Sequence, residues 1–201
     1  LSEIMLQQTQ VKTVIAYYQR FLDRCPDVKD LSQLSEDELM MLWQGLGYYS
    51  RARNLHKAAR KVVSEFGGVF PRSKEGLLSL PGIGPSTASA ILSLAYEVPS
   101  AILDGNVKRV LARHFSITGD INTSATQKLL WQYAEHNLPT DHARTYTQGL
   151  MDLGATICKP KSPLCQCCPL IRSCQAYQQN LTDVIPFKRS KVKVKDKALY
   201  V

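Results

Sequence analysis

The chain has 201 residues, 25 lysines and arginines, 17 aspartates and glutamates, and a formal net charge of +8. This length allows one large or two small domains with a sizeable core, and no stretch is apolar enough to span a membrane. The basic balance favours a polyanionic partner, but the excess is uneven. Residues 1–100 carry a net charge of +1, residues 101–180 carry +3, and residues 181–201 carry +4. The first hundred residues therefore have no general excess of positive charge, and any anion they bind must be contacted by individual side chains and backbone amides.

Helical periodicity dominates the sequence in chain order. Apolar residues recur at helical spacing at Ile4, Met5, Val11, Val14, Ile15 and Tyr18. Ser2 is a suitable N-cap for this first helix, and Ser35 with the acids up to Glu38 opens another. Further helices are predicted over 50–66, 74–80, 85–96, 107–114, 126–138 and 142–158. Because β signals are almost absent before residue 190, we expect an all-α protein.

A glycine-rich turn stands between two of these helices. The stretch Leu80-Pro-Gly-Ile-Gly-Pro-Ser-Thr-Ala88 places two glycines just before an apolar helix. Glycine permits close approach of the backbone, and a helix start presents unpaired N–H groups to an anion. A single carboxylate, Asp104, follows about twenty residues later in an Asp-Gly-Asn turn. Taken alone, Asp104 would be a turn residue.

Four cysteines form a second pattern. Cys158, Cys165, Cys168 and Cys174 have the spacing C-x6-C-x2-C-x5-C, and Cys167 and Cys25 are left over. Clustered thiols in a helical chain of this size indicate metal ligation rather than disulfides. Four thiolates suit either zinc or an iron–sulfur cluster, and the spacing alone leaves both open. Cys167 lies beside Cys168 and is a competing ligand.

A third pattern lies at the start of the chain, where Glu3 precedes Gln7-Gln8-Thr9. A lone glutamate in a first helical turn is ordinarily stabilised by the helix dipole, and the glutamines would form a polar helix face. The chain begins at Leu1 without methionine and ends on the apolar run Leu199-Tyr200-Val201. These ends predict a fragment of a longer protein, truncated on both sides.

Five motifs together resemble one family. Their ranges are Leu1–Gln10, Gly45–Tyr49, Leu80–Ala88, Ile102–Val110 and the four cysteines. This order strongly resembles the MutY adenine DNA glycosylases of the helix-hairpin-helix superfamily, over residues 1 to about 178. The resemblance implies a two-lobed helix-hairpin-helix glycosylase fold with an iron–sulfur cluster loop. Residues 1–100 would form a six-helix lobe, residues 101–180 a lobe with the aspartate and the cluster, and residues 181–201 a basic linker and the start of a C-terminal domain.

The resemblance also implies a reaction. Family members remove adenine mispaired with 8-oxoguanine or guanine, through an oxocarbenium-like state that suits two carboxylates. Glu3 would protonate N7 of the extruded adenine, and ionised Asp104 would stabilise the cation at C1′. Gln8 would enter the base stack, and Tyr48 would wedge beside the lesion base. The alternative for Tyr48 is an aromatic residue of the core.

Further roles follow residue by residue from the same resemblance. The amides of Gly82 and Gly84, with a monovalent cation, would hold a phosphate. Ser86 occupies the position of the Schiff-base lysine of endonuclease III, so strong lyase activity is not expected. Lys108 would contact phosphate or support a weak lyase reaction. Gln148 would lie near the adenine.

The resemblance implies that the four cysteines bind a 4Fe–4S cluster, which would stabilise the loop that carries them. It implies a monomer that acts on duplex DNA containing A:8-oxoguanine or A:G mispairs, away from membranes. The compartment would be the cytoplasm and nucleoid of a bacterium, or the nucleus or mitochondria of a eukaryote. Two alternatives remain: an endonuclease III-like glycosylase and lyase for oxidised pyrimidines, and a non-catalytic DNA-binding module with a cluster. Ser86 and the Leu1–Gln10 motif argue against the first alternative, and the presence of both Glu3 and Asp104 argues against the second.

Overall fold

The computed structural model describes residues 1–189, and this part of the chain is helical without any strand. The helices are α1 (Ser2–Met5), α2 (Val11–Arg24), α3 (Val28–Gln33), α4 (Glu36–Trp43), α5 (Ser50–Phe66), α6 (Lys74–Leu78), α7 (Pro85–Tyr96), α8 (Gly105–His114), α9 (Ser124–His136), α10 (Ala143–Asp152) and α11 (Gln175–Gln178). None of the described helices is both long and apolar enough to cross a membrane. Most of the basic linker and the start of a C-terminal domain predicted for residues 181–201 lie outside the described residues.

Local chemistry explains where several helices begin and end. Ser35 and Glu38 form a reciprocal capping box at the start of α4. Helix α5 covers the predicted range and ends at Gly67, whose φ of +62° closes the helix in the left-handed conformation. Asp27 accepts hydrogen bonds from two backbone amides and so caps α3, a short helix that the periodicity did not predict.

The single helix predicted at the N-terminus is wrong. Helix α1 ends after Met5, and α2 begins at Val11. Gln8 in the intervening loop has a φ of +57°, which an α-helix cannot contain. Leu1, rather than Ser2, is the N-cap of α1.

The helix predicted over 142–158 also differs from the structure. Helix α10 ends at Asp152 and continues as a π-helical turn over Leu153–Ile157. Within that turn, a Cβ at Gly154 would lie 2.6 Å from Cβ of Asn106. The wider turn therefore lets the backbone approach α8 closely.

The structure has two compact units, which meet in sequence at Asp104 and Gly105. The first comprises Leu1–Asp104 together with Leu138–Gln148, and the second comprises Gly105–Asn137 together with the described residues from Gly149 onward. The core of the first unit contains Trp43 and Phe21, whose rings meet edge to face at 5.9 Å between centroids. In the second unit, fully or nearly fully buried apolar side chains come from three segments: Val107, Leu130 and Ile185.

Candidate active site

Two carboxylates lie near each other in the first unit. Glu3 is in the first turn of α1, and Asp104 is the last residue before α8. Burial raises the pKa of Glu3, and the charge of Asp104 acts in the same direction. The two acids are therefore close enough to interact electrostatically. This environment favours a protonated Glu3 beside a second carboxyl group.

The glycine-rich turn connects α6 to α7 as a helical hairpin. Gly82 has a φ of +79°, and a Cβ there would lie 2.8 Å from Cβ of Asn54. Gly84 is the N-cap of α7, and a Cβ at this position would meet no atom within 4 Å. Within the described residues, neither glycine amide donates a backbone hydrogen bond. The hairpin thus presents accessible N–H groups to an anion.

Ser86 connects the hairpin to the segment that carries Asp104. Its Oγ accepts a hydrogen bond from the backbone N–H of Leu103 at 3.2 Å. This contact links the first turn of α7 to the residue directly before the carboxylate. Ser86 therefore has a positioning contact, and it supplies no amine.

Two exposed loop residues have a left-handed backbone. Gln8 has a φ of +57° and Tyr48 a φ of +50°, and both side chains are exposed. The Tyr48 side chain is 60% exposed, so it is not the core aromatic considered as its alternative. Non-glycine residues with positive φ are uncommon and concentrate at functional sites.

A buried arginine holds both of these loops. The guanidinium of Arg51 donates to the carbonyl oxygens of Ile4, Met5, Gln7, Leu46 and Gly47, and to Oγ1 of Thr9. It also lies 5.3 Å from the ring centroids of Tyr48 and of Trp43. One side chain thus fixes the loop that carries Gln8 and the loop that carries Tyr48.

The sequence patterns do not predict a role for Arg51. It is 8% exposed, and burial lowers its pKa. A signal was available, because Arg51 falls on the helix face formed by Ala52, Leu55 and Ala59, where a charge is unexpected. A cation on an apolar helix face needs internal acceptors, and here they are mostly backbone carbonyls.

Two further predicted residues belong to different units. Gln148 is exposed on α10, at the end of the part of that helix assigned to the first unit. Lys108 is on α8 in the second unit, and its Nζ lies 3.3 Å from Oε1 of Gln127.

The four predicted metal ligands lie in the second unit. Cys158 directly follows the π-helical turn. Cys165 begins the 3-10 turn Cys165–Cys167, Cys168 follows that turn, and Cys174 follows the 3-10 turn Ile171–Ser173. Burial raises the pKa values of Cys165 and Cys168, and the nearby Cys158 and Cys174 contribute in the same direction. The four thiols are therefore neighbours, although the described residues contain no group of three ligands arranged as a metal site. A bound cationic centre would stabilise the thiolate forms of neighbouring cysteines.

Two arginines of α8 order the approach to these cysteines. Arg109 Nε donates to the carbonyl oxygen of Cys158 at 2.6 Å, and its Nη2 donates to that of Gly154 at 2.6 Å. Arg113 Nη1 lies 3.4 Å from Sγ of Cys158. The donor set and its surroundings fit an iron–sulfur cluster. The spacing of these arginines, four residues apart on one face of α8, is the signal that could have found them.

Known proteins share the sequence pattern. A model of the HhH-GPD superfamily of base excision DNA repair proteins matches residues 1–136. An adenine DNA glycosylase of Buchnera aphidicola subsp. Baizongia pistaciae is 47% identical over 200 residues, covering 100% of this chain and 56% of that protein. An adenine DNA glycosylase of Mus musculus is 46% identical over 180 residues, covering 89% of this chain and 35% of that protein. The chain thus spans about half the length of the Buchnera relative and about a third of the mouse relative.

A solved structure shares the fold. A thermostable thymine-DNA glycosylase superposes with a TM-score of 0.80 at 32% identity, covering 89% of this chain and 82% of that one. The predicted all-α helix-hairpin-helix fold is confirmed by the helices and by this likeness.

Proposed function

The chain belongs to the HhH-GPD superfamily of base excision DNA repair proteins, and we propose that it is an adenine DNA glycosylase. Its reaction is hydrolysis of the N-glycosidic bond of adenine mispaired with 8-oxoguanine or guanine in duplex DNA. The observation that supports this proposal is the raised pKa of Glu3, which is caused mainly by burial, with the nearby Asp104 acting in the same direction. The adenine DNA glycosylases at 47% and 46% identity support the choice of base.

Glu3 serves as the general acid. Its raised pKa keeps the carboxyl group protonated at a higher pH than an ordinary glutamate. The proton passes to N7 of the extruded adenine, and the base then leaves with the electron pair of the glycosidic bond. Positioned acid catalysis of this kind contributes about 10²–10⁴-fold, or roughly 3–5 kcal/mol.

Asp104 acts in its ionised form. Departure of adenine leaves positive charge at C1′ and the ring oxygen, and a carboxylate beside C1′ stabilises that charge. Water then adds to C1′ and loses a proton, which completes the hydrolysis. The hydrogen bond between Ser86 and the Leu103 amide holds the segment that ends at Asp104.

The hairpin and the two loops position the substrate. The amides of Gly82 and Gly84, together with a monovalent cation at the hairpin, hold a backbone phosphate without reading sequence. Extrusion of a base costs a few kcal/mol of unstacking. Gln8 fills the vacated stack, and Tyr48 wedges beside the opposite lesion base. Their exposed, left-handed positions support this assignment.

The remaining site residues have supporting roles. Gln148 lies near the adenine, and Lys108 contacts a phosphate. The four cysteines Cys158, Cys165, Cys168 and Cys174 hold a 4Fe–4S cluster. When bound, the cluster supplies a structural brace for the loop between them. The protein acts as a monomer where the DNA is, in the cytoplasm and nucleoid of a bacterium or in the nucleus or mitochondria of a eukaryote.

A glycosylase and lyase of the endonuclease III kind is the second candidate. Its Schiff-base chemistry needs an amine at the hairpin position that Ser86 occupies. The Ser86 hydroxyl is engaged with Leu103 and cannot replace that amine. We therefore propose a monofunctional enzyme.

A strand-breakage assay tests both assignments. The protein is incubated with duplexes that carry adenine opposite 8-oxoguanine, adenine opposite guanine, or adenine opposite thymine as a control. We expect base release from the first two duplexes, with strand breakage only after alkali. Breakage without alkali at the rate of base loss would contradict the monofunctional reading. Absence of base release from every duplex would contradict the proposed activity and support the alternative of a non-catalytic DNA-binding module.

A further inference from the structure

Two loops of the first unit carry the residues that the proposed function inserts into DNA. The first loop comprises residues 6–10 and includes Gln8, and the second comprises residues 44–49 and includes Tyr48. Among the described residues, no hydrogen bond runs directly from one loop to the other. The side chain of Arg51 on α5 connects them instead.

The guanidinium group of Arg51 divides its donors between the two loops. Nη1 donates to the carbonyl oxygen of Gln7 in the first loop at 2.5 Å. Nη2 donates to Oγ1 of Thr9 in the same loop at 3.0 Å, and to the carbonyl oxygens of Leu46 and Gly47 in the second loop, both at 3.2 Å. One amino group therefore bonds to both loops at once.

The planar guanidinium group can transmit a shift of one loop to the other. Its N–H donors have a fixed fork geometry, so a displacement of the Gln7 carbonyl that turns the group also turns the Nη2 donors. The group has little room to respond independently, because Arg51 is 8% exposed and lies against the rings of Trp43 and Tyr48. Hydrogen bonds in a buried network of this kind are not independent of one another.

We propose that Arg51 is a positioning residue that makes the insertion of Gln8 and the insertion of Tyr48 one cooperative step. The proposal rests on the proposed function, in which Gln8 fills the vacated stack and Tyr48 wedges beside the opposite base. Without a connection between the loops, the free energies of the two insertions would add. With the connection, the ordering of one loop on DNA lowers the entropy cost of ordering the other. Extrusion is thereby favoured where both strands are engaged.

Hydrogen exchange without DNA tests the connection itself. Thr9→Val removes an acceptor of Nη2 in the first loop, and exchange is followed in the second loop at the Leu46 amide, which donates to the Trp43 carbonyl at 3.0 Å. We expect exchange at Leu46 to accelerate at least about 2-fold, the factor that corresponds to the smallest interaction energy of residues in one network. Thr13→Val, an exposed position on α2, is the matched control and is expected to leave this exchange unchanged. Equal exchange at Leu46 in Thr9→Val and in the wild type would overturn the proposal.

Extrusion is measured with 2-aminopurine in place of the adenine opposite 8-oxoguanine, because the fluorescence of this base rises when it leaves the stack. Gln8→Ala, Tyr48→Ala and the double variant form a double-mutant cycle at saturating protein. In the protein with Arg51, we expect the loss of extrusion in the double variant to be smaller than the product of the two single losses, by a factor of about 2–160. In Arg51→Lys, which keeps the charge but not the planar fork, the two losses should multiply.

Val62→Ala separates coupling from stability. Val62 is fully buried on the same helix as Arg51, so its truncation lowers stability without removing a bond to either loop, and the cycle should keep its coupling. Three results overturn the proposal: single losses that multiply in the protein with Arg51, coupling that persists in Arg51→Lys, or single variants that both leave extrusion unchanged. None of these readouts requires adenine release, so failure of the glycosylase assignment and failure of the coupling are distinguishable.

Discussion

Replacement of Arg51 by methionine is expected to destabilise the first unit and disorder its two exposed loops. Methionine keeps an apolar stem but removes every donor of the guanidinium group. Among the described residues, the carbonyls of Met5 and Leu46 accept no other hydrogen bond. Both residues are buried, at 0% and 5% exposure. Each buried polar group left unsatisfied lowers the free energy of unfolding by about 1–3 kcal/mol, so the two carbonyls together lower it by about 2–6 kcal/mol.

Thermal unfolding measures this loss. For a chain of this size, each kcal/mol shifts Tm by roughly 2–4 °C, so the expected decrease is roughly 4–24 °C. Arg60→Met is the matched control, because Arg60 lies on the same helix, is exposed, and donates one bond to the Ser32 carbonyl at 3.3 Å. An Arg51→Met variant no less stable than Arg60→Met would refute the role assigned to Arg51.

Three other changes have defined outcomes. Gly82→Ala should cost about 1–3 kcal/mol in denaturant unfolding, because of its positive φ and the contact with Asn54, whereas Gly84→Ala should leave stability nearly unchanged. Glu38 bonds to Ser35 and Arg24, which lower its pKa to about 2. Its contribution to stability is therefore present above the ordinary glutamate pKa and lost as pH falls towards 2, and Glu38→Gln should flatten stability–pH curves in that window. Since the pKa of Glu3 is raised, adenine release should persist above the ordinary glutamate pKa and decline as pH rises through the raised value; a rate that rises there would contradict the acid role.

Local sequence chemistry was sufficient for much of the fold. Helix α5 runs from Ser50 to Phe66 as predicted, because its apolar stripe and the following glycines are local signals. The helix start at Ser35 was equally visible, and the structure shows a capping box there. The break between α1 and α2 was not, since Gln8 has no glycine or proline beside it. Its positive φ is stabilised by Arg51, more than forty residues away.

In the candidate site too, some residues have a sequence signal and others are recognised only from distant contacts in the folded chain. Family motifs brought Glu3 and Asp104 together in the prediction, and the catalytic roles of both acids stay a prediction. The supporting arginines Arg51, Arg109 and Arg113 were missed because their acceptors are mostly backbone carbonyls. Such acceptors have no residue signature and become visible only once the chain is folded.

The central claim is that Glu3 and Asp104 together cleave the bond to adenine. Single-turnover adenine release from a duplex with adenine opposite 8-oxoguanine tests it most directly. We predict losses of about 10²–10⁴-fold for Glu3→Gln and for Asp104→Asn, with Asp141→Asn, an exposed carboxylate of the same unit, close to wild type. Undiminished release by either catalytic variant, with the fold intact by circular dichroism, would contradict the account.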